Sequence, residues 1–432
     1  HCSYPRRGGS FLKLFKYIET SNPTIAAVDV GTSKVCTLIG KIRSNGIEIL
    51  GIGLSASSGI KKGKVVDVEK ASHSIKESLL NSLSVAKEEP NFLYTGIAGD
   101  YVTSRNAENE ILLGKVSREV YEKDIEKVIE GTRAQIASDG QAVIHVIPQE
   151  FSLDDQRGIA HPRKLVGTRL KVNAHVVTAE ENHLHNLVEC FQSVGYEVYR
   201  TVFQPYASAL AVLTSGEQEA GTVLIDIGGG TTDIAVFYND SIYYSNILPV
   251  GGELITSDLA IGLRTSRDEA ERLKLQYGSV YSKYVPDDEM IEVKDISMKS
   301  LRSVKRKFAC EIIEARVKEM ILMIRREIRA SGMSTVLRGG IVLTGGSSLL
   351  GGLNEFASSL LNMPVRIGFP ESKNYLGQVQ VISSPIFSTS CGLLQLALTE
   401  GQERKTDHRF SEGSSGKIHG MVNKLKDFFM MG

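Results

Sequence analysis

The sequence predicts a duplicated, two-lobed α/β fold with a small α+β insert in its first lobe. Three observations predict it. The chain has 432 residues, more than one hydrophobic core ordinarily organises. Two stretches about 200 residues apart share one pattern of strand, glycine turn and strand, the mark of a duplicated domain. Between them lies a run of alternating apolar and polar residues with Pro and Gly turns, which reads as strands.

The first strand pair is "AAVDVGTSKVCTLIGKI" (26–42) and the second is "LIDIGGGTTDIAVF" (224–237). Laying Val28 on Ile225 puts Asp29 on Asp226, Gly31 on Gly228 and Ser33 on Gly230. β-branched residues flank both turns, as strands prefer. Glycine lets backbone N–H groups approach an anion, and successive N–H groups in such a turn form an anion-binding concavity. A carboxylate at the strand end suits Mg²⁺, which keeps part of its hydration shell. Two such turns facing each other would hold a polyphosphate between two lobes. A third stretch, "GIVLTGGSSLLGGL" (340–353), reads as a buried strand, the turn Thr344-Gly345-Gly346, and a helix from about Ser347. Paired glycines there leave room for a base or ribose, and a helix N-terminus favours anions.

Composition narrows the function. Basic and acidic residues balance at 50 each, so the chain as a whole has no electrostatic footprint for nucleic acid. The five cysteines (Cys2, Cys36, Cys190, Cys310, Cys391) are scattered, and none forms a C-x-x-C pair; they read as packing residues in a reducing compartment. No apolar run reaches the roughly 18 residues of a membrane span. His183 and His185 lack further ligands at metal spacing and read as exposed helix polars. "GIKKGKV" lacks the glycine spacing of a P-loop, and no G-x-S-x-G elbow is present.

In this order the three turns resemble those of the actin, Hsp70 and sugar-kinase superfamily, whose lobes have a ribonuclease H-like, actin-like ATPase fold. The resemblance implies that Asp29, Gly31, Thr32, Ser33 and Lys34 form a first phosphate motif. It implies a second running from Asp226 through Gly228, Gly229, Gly230, Thr231 and Thr232 to Asp233, and an adenosine motif from Gly345, Gly346 and Ser347. Asp29 and Asp226 would face Mg²⁺ through water, and Gln204, in "QPYASA", would position the attacking water. Glu271 and Lys274, in "DEAERLKLQYG", resemble the pair facing ribose and adenine. ATP and Mg²⁺ are therefore the expected cofactors, with at most slow hydrolysis. A sugar kinase would need a substrate-side base that no motif supplies. An Hsp70-type chaperone would need a substrate domain beyond the second lobe.

The insert sharpens the resemblance. "VSREVYEKDIEKVIEGTRAQI" has a cap-like start to a helix, and "HVIPQEFSLDDQRGIAHPRKLVGTRL" follows it. That stretch resembles the 1C insert of the FtsA family, bacterial cell-division homologues of actin; a pilus-assembly relative shares the insert. The implied domains are a disordered leader (1–23), a first lobe 1A (24–103 and 177–217), the 1C insert (104–176), a second lobe 2A (218–254 and 333–400) and a helical 2B subdomain (255–332). The family resemblance implies a surface for FtsZ, the tubulin-like ring protein, on 2B, where Glu311, Glu314 and Arg316 lie. It further implies self-assembly into filaments and contacts with later division proteins through the insert.

The tail changes composition. Residues 401–416, "GQERKTDHRFSEGSSG", read as a flexible tether. In "KIHGMVNKLKDFFMMG" (417–432) the apolar Ile418, Met421, Val422, Leu425, Phe428 and Phe429 fall on one helical stripe, with Lys417, Lys424 and Lys426 beside it. A basic amphipathic helix suits an anionic bilayer surface. In FtsA the membrane-targeting helix stands at this place, which implies a peripheral protein on the inner face of the cell membrane at the septum. One tail would bind weakly and a filament of tails strongly.

Overall fold

The computed structural model describes residues 22–297 and 300–411, with side chains as far as residue 400. The leader through residue 21 and the amphipathic segment 417–432, with all its expected membrane residues, lie outside the described residues.

The first lobe opens with β1 (Thr24–Val30), β2 (Lys34–Arg43) and β3 (Gly46–Ala56), an antiparallel meander. Every residue of β1 is buried, and it is apolar from Ile25 to Val28 before Asp29, whereas β3 alternates buried and more exposed positions. Helix α1 (Val68–Ala86) starts where the Asp67 side chain accepts from the Lys70 N–H, and it lies on β3. Strand β4 (Phe92–Ile97) runs parallel to β1.

The chain then leaves the lobe. Strand β5 (Val102–Leu112), α2 (Glu122–Ile136), β6 (Gln141–Leu153), β7 (Gln156–Ile159) and β8 (Arg169–Glu180) make a four-stranded antiparallel sheet in the order β7-β6-β8-β5, covered by α2. It has a small core of its own around Val128, Phe151, Leu170 and Val172. The chain returns through α3 (Glu181–Ser193) to β9 (Val198–Phe203), parallel to β4, and to α4 (Gln204–Val212), with Pro205 in its first turn.

The second lobe repeats the plan. Strands β10 (Thr222–Ile227), β11 (Thr232–Tyr238) and β12 (Ser241–Leu248) form an antiparallel meander. Helices α5 (Gly252–Gly262) and α6 (Arg267–Tyr277), the hairpin β13 (Met290–Lys294) and β14 (Leu301–Lys305), and α7 (Arg306–Ala330) follow. Then come β15 (Gly340–Thr344), α8 (Leu353–Leu361) and β16 (Val365–Ile367). The second sheet runs β12-β11-β10-β15-β16, matching β3-β2-β1-β4-β9 of the first: three antiparallel strands, then two parallel ones. The sequence repeat is thus a topological repeat. Residues 255–332, expected as a helical subdomain, are helix-rich and also hold β13 and β14, a hairpin with buried Ile291 and Val293 alternating with exposed neighbours.

The assignment of 333–400 wholly to the second lobe needs correction. Strand β17 (Tyr375–Gly377) pairs parallel with β3, on the edge of the first sheet. Helix α9 (Ser388–Ser411) lies against α4, β1 and β4. Cys391, Leu393 and Leu394 are buried in the same core as Leu38, Ile47 and Tyr94, so apolar burial carries the chain back across the molecule. The tether expected at 401–416 also differs, because α9 continues through Ser411; Glu403, Arg404 and Lys405 are good helix formers, and the Gly/Ser-rich stretch comes later.

Candidate functional site: a cleft between two glycine turns

The two turns close in the same way. Gly31 N–H donates to the Lys34 carbonyl at 2.9 Å, and Gly228 N–H donates to the Thr231 carbonyl at 3.0 Å. They face each other across the lobes: a side chain at Gly229 would collide with Ser33, and one at Gly230 with Thr32. Between them lies a cavity of about 610 Å³, within the range of small-molecule sites. The third turn forms another wall. Gly345 has φ +81°, and a Cβ there would run into the Asp226 carboxylate and the Ile227 carbonyl. Only glycine lets this backbone approach the end of β10 so closely.

The Gly228 carbonyl joins three segments. It accepts from Ser347 Oγ at 2.9 Å and from Gly252 N–H, at the start of α5, at 3.0 Å. Lys274 donates to the Gly252 carbonyl at 3.2 Å and to Thr256 Oγ1 at 2.9 Å, and pairs with Glu271 at 2.7 Å. The pair expected from "DEAERLKLQYG" therefore lines the cavity beside the third turn.

The carboxylates sit at the strand ends. Gln204, first residue of α4, donates from Nε2 to Asp29 Oδ1 at 3.0 Å. Ser208, one helical turn on, donates to Asp226 Oδ2 at 2.8 Å. Lys34 lies 3.6 Å from Asp29 and donates to the Ile386 carbonyl at 2.6 Å. Asp233 is the register partner of Asp226 across the hairpin and is buried in the same cavity. Burial pushes the Asp226 carboxyl up to about 6, with the Ser208 hydroxyl opposing and the charge of Asp29 adding to the rise. Burial and the charge of Asp226 push Asp233 well above the carboxylate range; burial raises Asp29 against the pull of Lys34.

This donor set fits a hydrated divalent cation beside phosphate. Asp233 Oδ1 is buried and lacks a hydrogen-bond partner, in a cavity also lined by Asp29 and Asp226. Among the described residues no three His, Cys, Asp or Glu side chains converge closely enough to ligate a metal directly, so contact through water is the arrangement the geometry allows. The structure thus brings together Asp29, Gly31, Thr32, Ser33, Lys34, Gln204, Asp226, Gly228, Gly229, Gly230, Thr231, Glu271, Lys274, Gly345, Gly346 and Ser347. Thr232 turns aside, its hydroxyl donating to the Val250 carbonyl at 2.8 Å. Sequence reasoning placed Asp233 at the end of the second phosphate motif and Ser208 within "QPYASA", but gave neither a role of its own. The signal for Asp233 was present, as a second aspartate just past the glycines; Ser208 is legible only once α4 is known to point its first turn at β10.

Glu311, Glu314 and Arg316 stand elsewhere, on α7. Glu314 accepts from the Ser282 N–H at 3.0 Å and from its hydroxyl at 2.6 Å; Arg316 pairs with Asp258 and Glu319; Glu311 is exposed.

Residues 223–392 match the family described as cell division protein FtsA, and residues 99–178 match the SHS2 domain inserted in FtsA. The chain is 36% identical over 379 residues to cell division protein FtsA of Pseudomonas aeruginosa, covering 88% of this chain and 90% of that protein. Against the Bacillus subtilis protein it is 34% identical over 400 residues, covering 92% and 89%. Against that of Escherichia coli K12 it is 32% identical over 384 residues, covering 87% and 90%. Two solved structures share the fold at low identity. The PilM-PilN type IV pilus biogenesis complex matches with a TM-score of 0.61 at 15% identity, covering 87% of this chain and 98% of that one. MreB5 of Spiroplasma citri bound to ADP gives 0.53 at 14%, covering 89% and 98%. The fold is therefore actin-like, with an inserted SHS2 subdomain, and the chain belongs to the FtsA family of cell division proteins.

Proposed function

We propose that the cleft binds ATP with Mg²⁺, and that the nucleotide holds the lobes in a conformation that self-assembles. The polymer then docks on the inner face of the cell membrane through segment 417–432 and links FtsZ filaments to it. The observation that carries this reading is the pair of opposed glycine turns over buried carboxylates. Backbone N–H groups of the turns face the phosphates, and the Gly345–Gly346 turn with Glu271 and Lys274 takes the nucleoside. Asp29, Asp226 and Asp233 hold the cation's water shell; bound there, Mg²⁺ supplies charge neutralisation of the phosphates. Gln204 is positioned by Asp29 to hold a water, and Ser208 fixes Asp226. Positioning is the larger part of what phosphoryl transfer demands, and slow turnover suits a nucleotide that acts as a structural switch.

On this reading FtsZ contacts the surface carrying Glu311, Glu314 and Arg316, and later division proteins contact the insert. The family membership and the stripe of 417–432 support the membrane role, and among the described residues no helix is long and apolar enough to cross a bilayer. Titration calorimetry with Mg-ATP tests the site. Asp226→Ala is expected to weaken binding about tenfold or more, the loss of roughly 1.4 kcal/mol from a charged ligand contact. Unchanged affinity would remove Asp226, and with it this cleft, from the account.

A further inference from the structure

The insert reaches the corner that carries Gln204 through one buried ring. His145, on β6, accepts a hydrogen bond at Nε2 from the Phe203 N–H at 3.0 Å. Phe203 is the last residue of β9 and the N-cap of α4, so the next residue along is Gln204. The imidazole also meets the Tyr206 ring edge-on, with centroids 5.5 Å apart, so it touches the residue on each side of the turn that Gln204 begins. Gln204 itself has little freedom. Its Nε2 is tied to Asp29, and on the other side a Cβ at Gly96 would lie 2.7 Å from its Cγ.

An acceptor at Nε2 fixes the neutral ring with its proton on Nδ1. That state suits the site: burial, with Arg200 and Arg133 nearby, holds the imidazole down at about 3. The strand that carries the ring is seated on both lobes. Gln149, also on β6, donates to the Ile242 carbonyl at 2.9 Å, and Ser241 donates to the Pro148 carbonyl at 2.7 Å. β6 thus bridges the second lobe's edge strand β12 and the first lobe's β9–α4 corner.

We propose that His145 is a positioning residue for Gln204, through which the seating of the insert sets the rate of ATP hydrolysis. The proposal rests on the reading of the cleft as an ATP site. In the step concerned, a water oxygen bonds to the terminal phosphorus while the bond from that phosphorus to the bridging oxygen breaks. ADP leaves with the electron pair, and the water's proton passes to the orthophosphate formed. Gln204 commits its amide N–H to Asp29 and keeps Oε1 to accept from the water. A shift of the Phe203–Gln204 peptide moves that oxygen and leaves the phosphate contacts in place.

The test is single-turnover hydrolysis of radiolabelled ATP by the full chain, with ATP affinity measured in parallel. His145→Ala is expected to slow the chemical step ~10-fold to ~100-fold, the scale of a sub-ångström to 1 Å misplacement, while affinity stays within about twofold. His145→Gln, which restores an acceptor near Nε2, is expected to recover most of the rate. A merely structural role would lower binding and rate together, and Gln would not rescue it. If the unaltered chain hydrolyses ATP and His145→Ala does so at the same rate, or His145→Gln is as slow as Ala, this inference fails and the ATP site stands. If His145→Ala does not fold, the comparison of His145→Gln with the unaltered chain decides, equal rates supporting the acceptor role and a large loss rejecting it. If the unaltered chain neither binds nor hydrolyses ATP, the reading of the cleft fails and takes the inference with it.

Discussion

Asp226 shows what it costs to build such a cleft. Its carboxyl is held at about 6 by burial and by the charge of Asp29, above the ordinary value of 3.8. The folded chain without ligand therefore holds a proton that the unfolded chain releases at lower pH. By linkage, this group's contribution falls as pH rises through the window from 3.8 to about 6, and the deficit persists at neutral pH. Asp29 and Asp233 act in the same direction. Asp226→Asn is expected to stabilise the ligand-free protein at pH 7.5 by on the order of 2–3 kcal/mol, with most of the gain lost at pH 4. Denaturant melts at the two pH values measure this, and a variant less stable than the parent at pH 7.5 would contradict it. The residues of the cleft were largely legible beforehand because two matched Asp-x-Gly turns, one per lobe, carry a signal that one glycine turn, most often only a tight turn, does not. Thr232 was the exception: strand alternation turns it out of the cavity, and a motif match does not see alternation.

At the scale of elements, polar side chains fasten the insert alongside an apolar seam, in which Val102, Val177 and Ala179 share the first lobe's core. His175 on β8 lies 2.7 Å from Asn106 Oδ1 at Nδ1 and 2.8 Å from Ser245 Oγ at Nε2. Ser104 donates to the Ser245 carbonyl at 2.9 Å, and Asn106 donates to the Tyr243 carbonyl at 3.0 Å. Burial lowers His175 to about 4 and His145 to about 3, below the ordinary 6.5. A histidine depressed on folding contributes stability above its unfolded value and loses it as pH falls toward the folded one. The seam should therefore weaken between pH 6.5 and 4, by roughly 2 kcal/mol per histidine at pH 5. Hydrogen exchange corrected for intrinsic rate should show β5, β6 and β8 losing protection at pH 5 relative to pH 7, ahead of β1 and β10. Uniform change across the molecule would contradict this. None of the seam was legible in the sequence, since a polar residue on a strand looks the same whether it faces water or another lobe. The β13–β14 hairpin was missed for a related reason, its five-residue strands being too short to stand out among charged helices. The return of β17 and α9 to the first lobe is a long-range fact that local patterning does not carry.

The whole molecule is one strand-turn-strand idea used twice, with its turns opposed across the cleft. Its last described helix, α9, is anchored in the first lobe: Tyr94 donates to Glu400 at 3.1 Å, and Arg200 pairs with Glu400 at 3.4 Å. Whatever orients the first lobe therefore orients the base of the tail. A single basic amphipathic helix binds a bilayer weakly and reversibly, and an array binds through avidity, so nucleotide-dependent assembly and membrane attachment should rise together. The measurement that tests this most directly is co-sedimentation with anionic vesicles and FtsZ, with and without Mg-ATP, for the full chain and for a chain ending at Ser415. The account predicts that the full chain pellets with ATP and brings FtsZ down, that omitting ATP reduces both, and that the shortened chain leaves both in solution. Equal pelleting by the two chains, or pelleting indifferent to ATP, would contradict it.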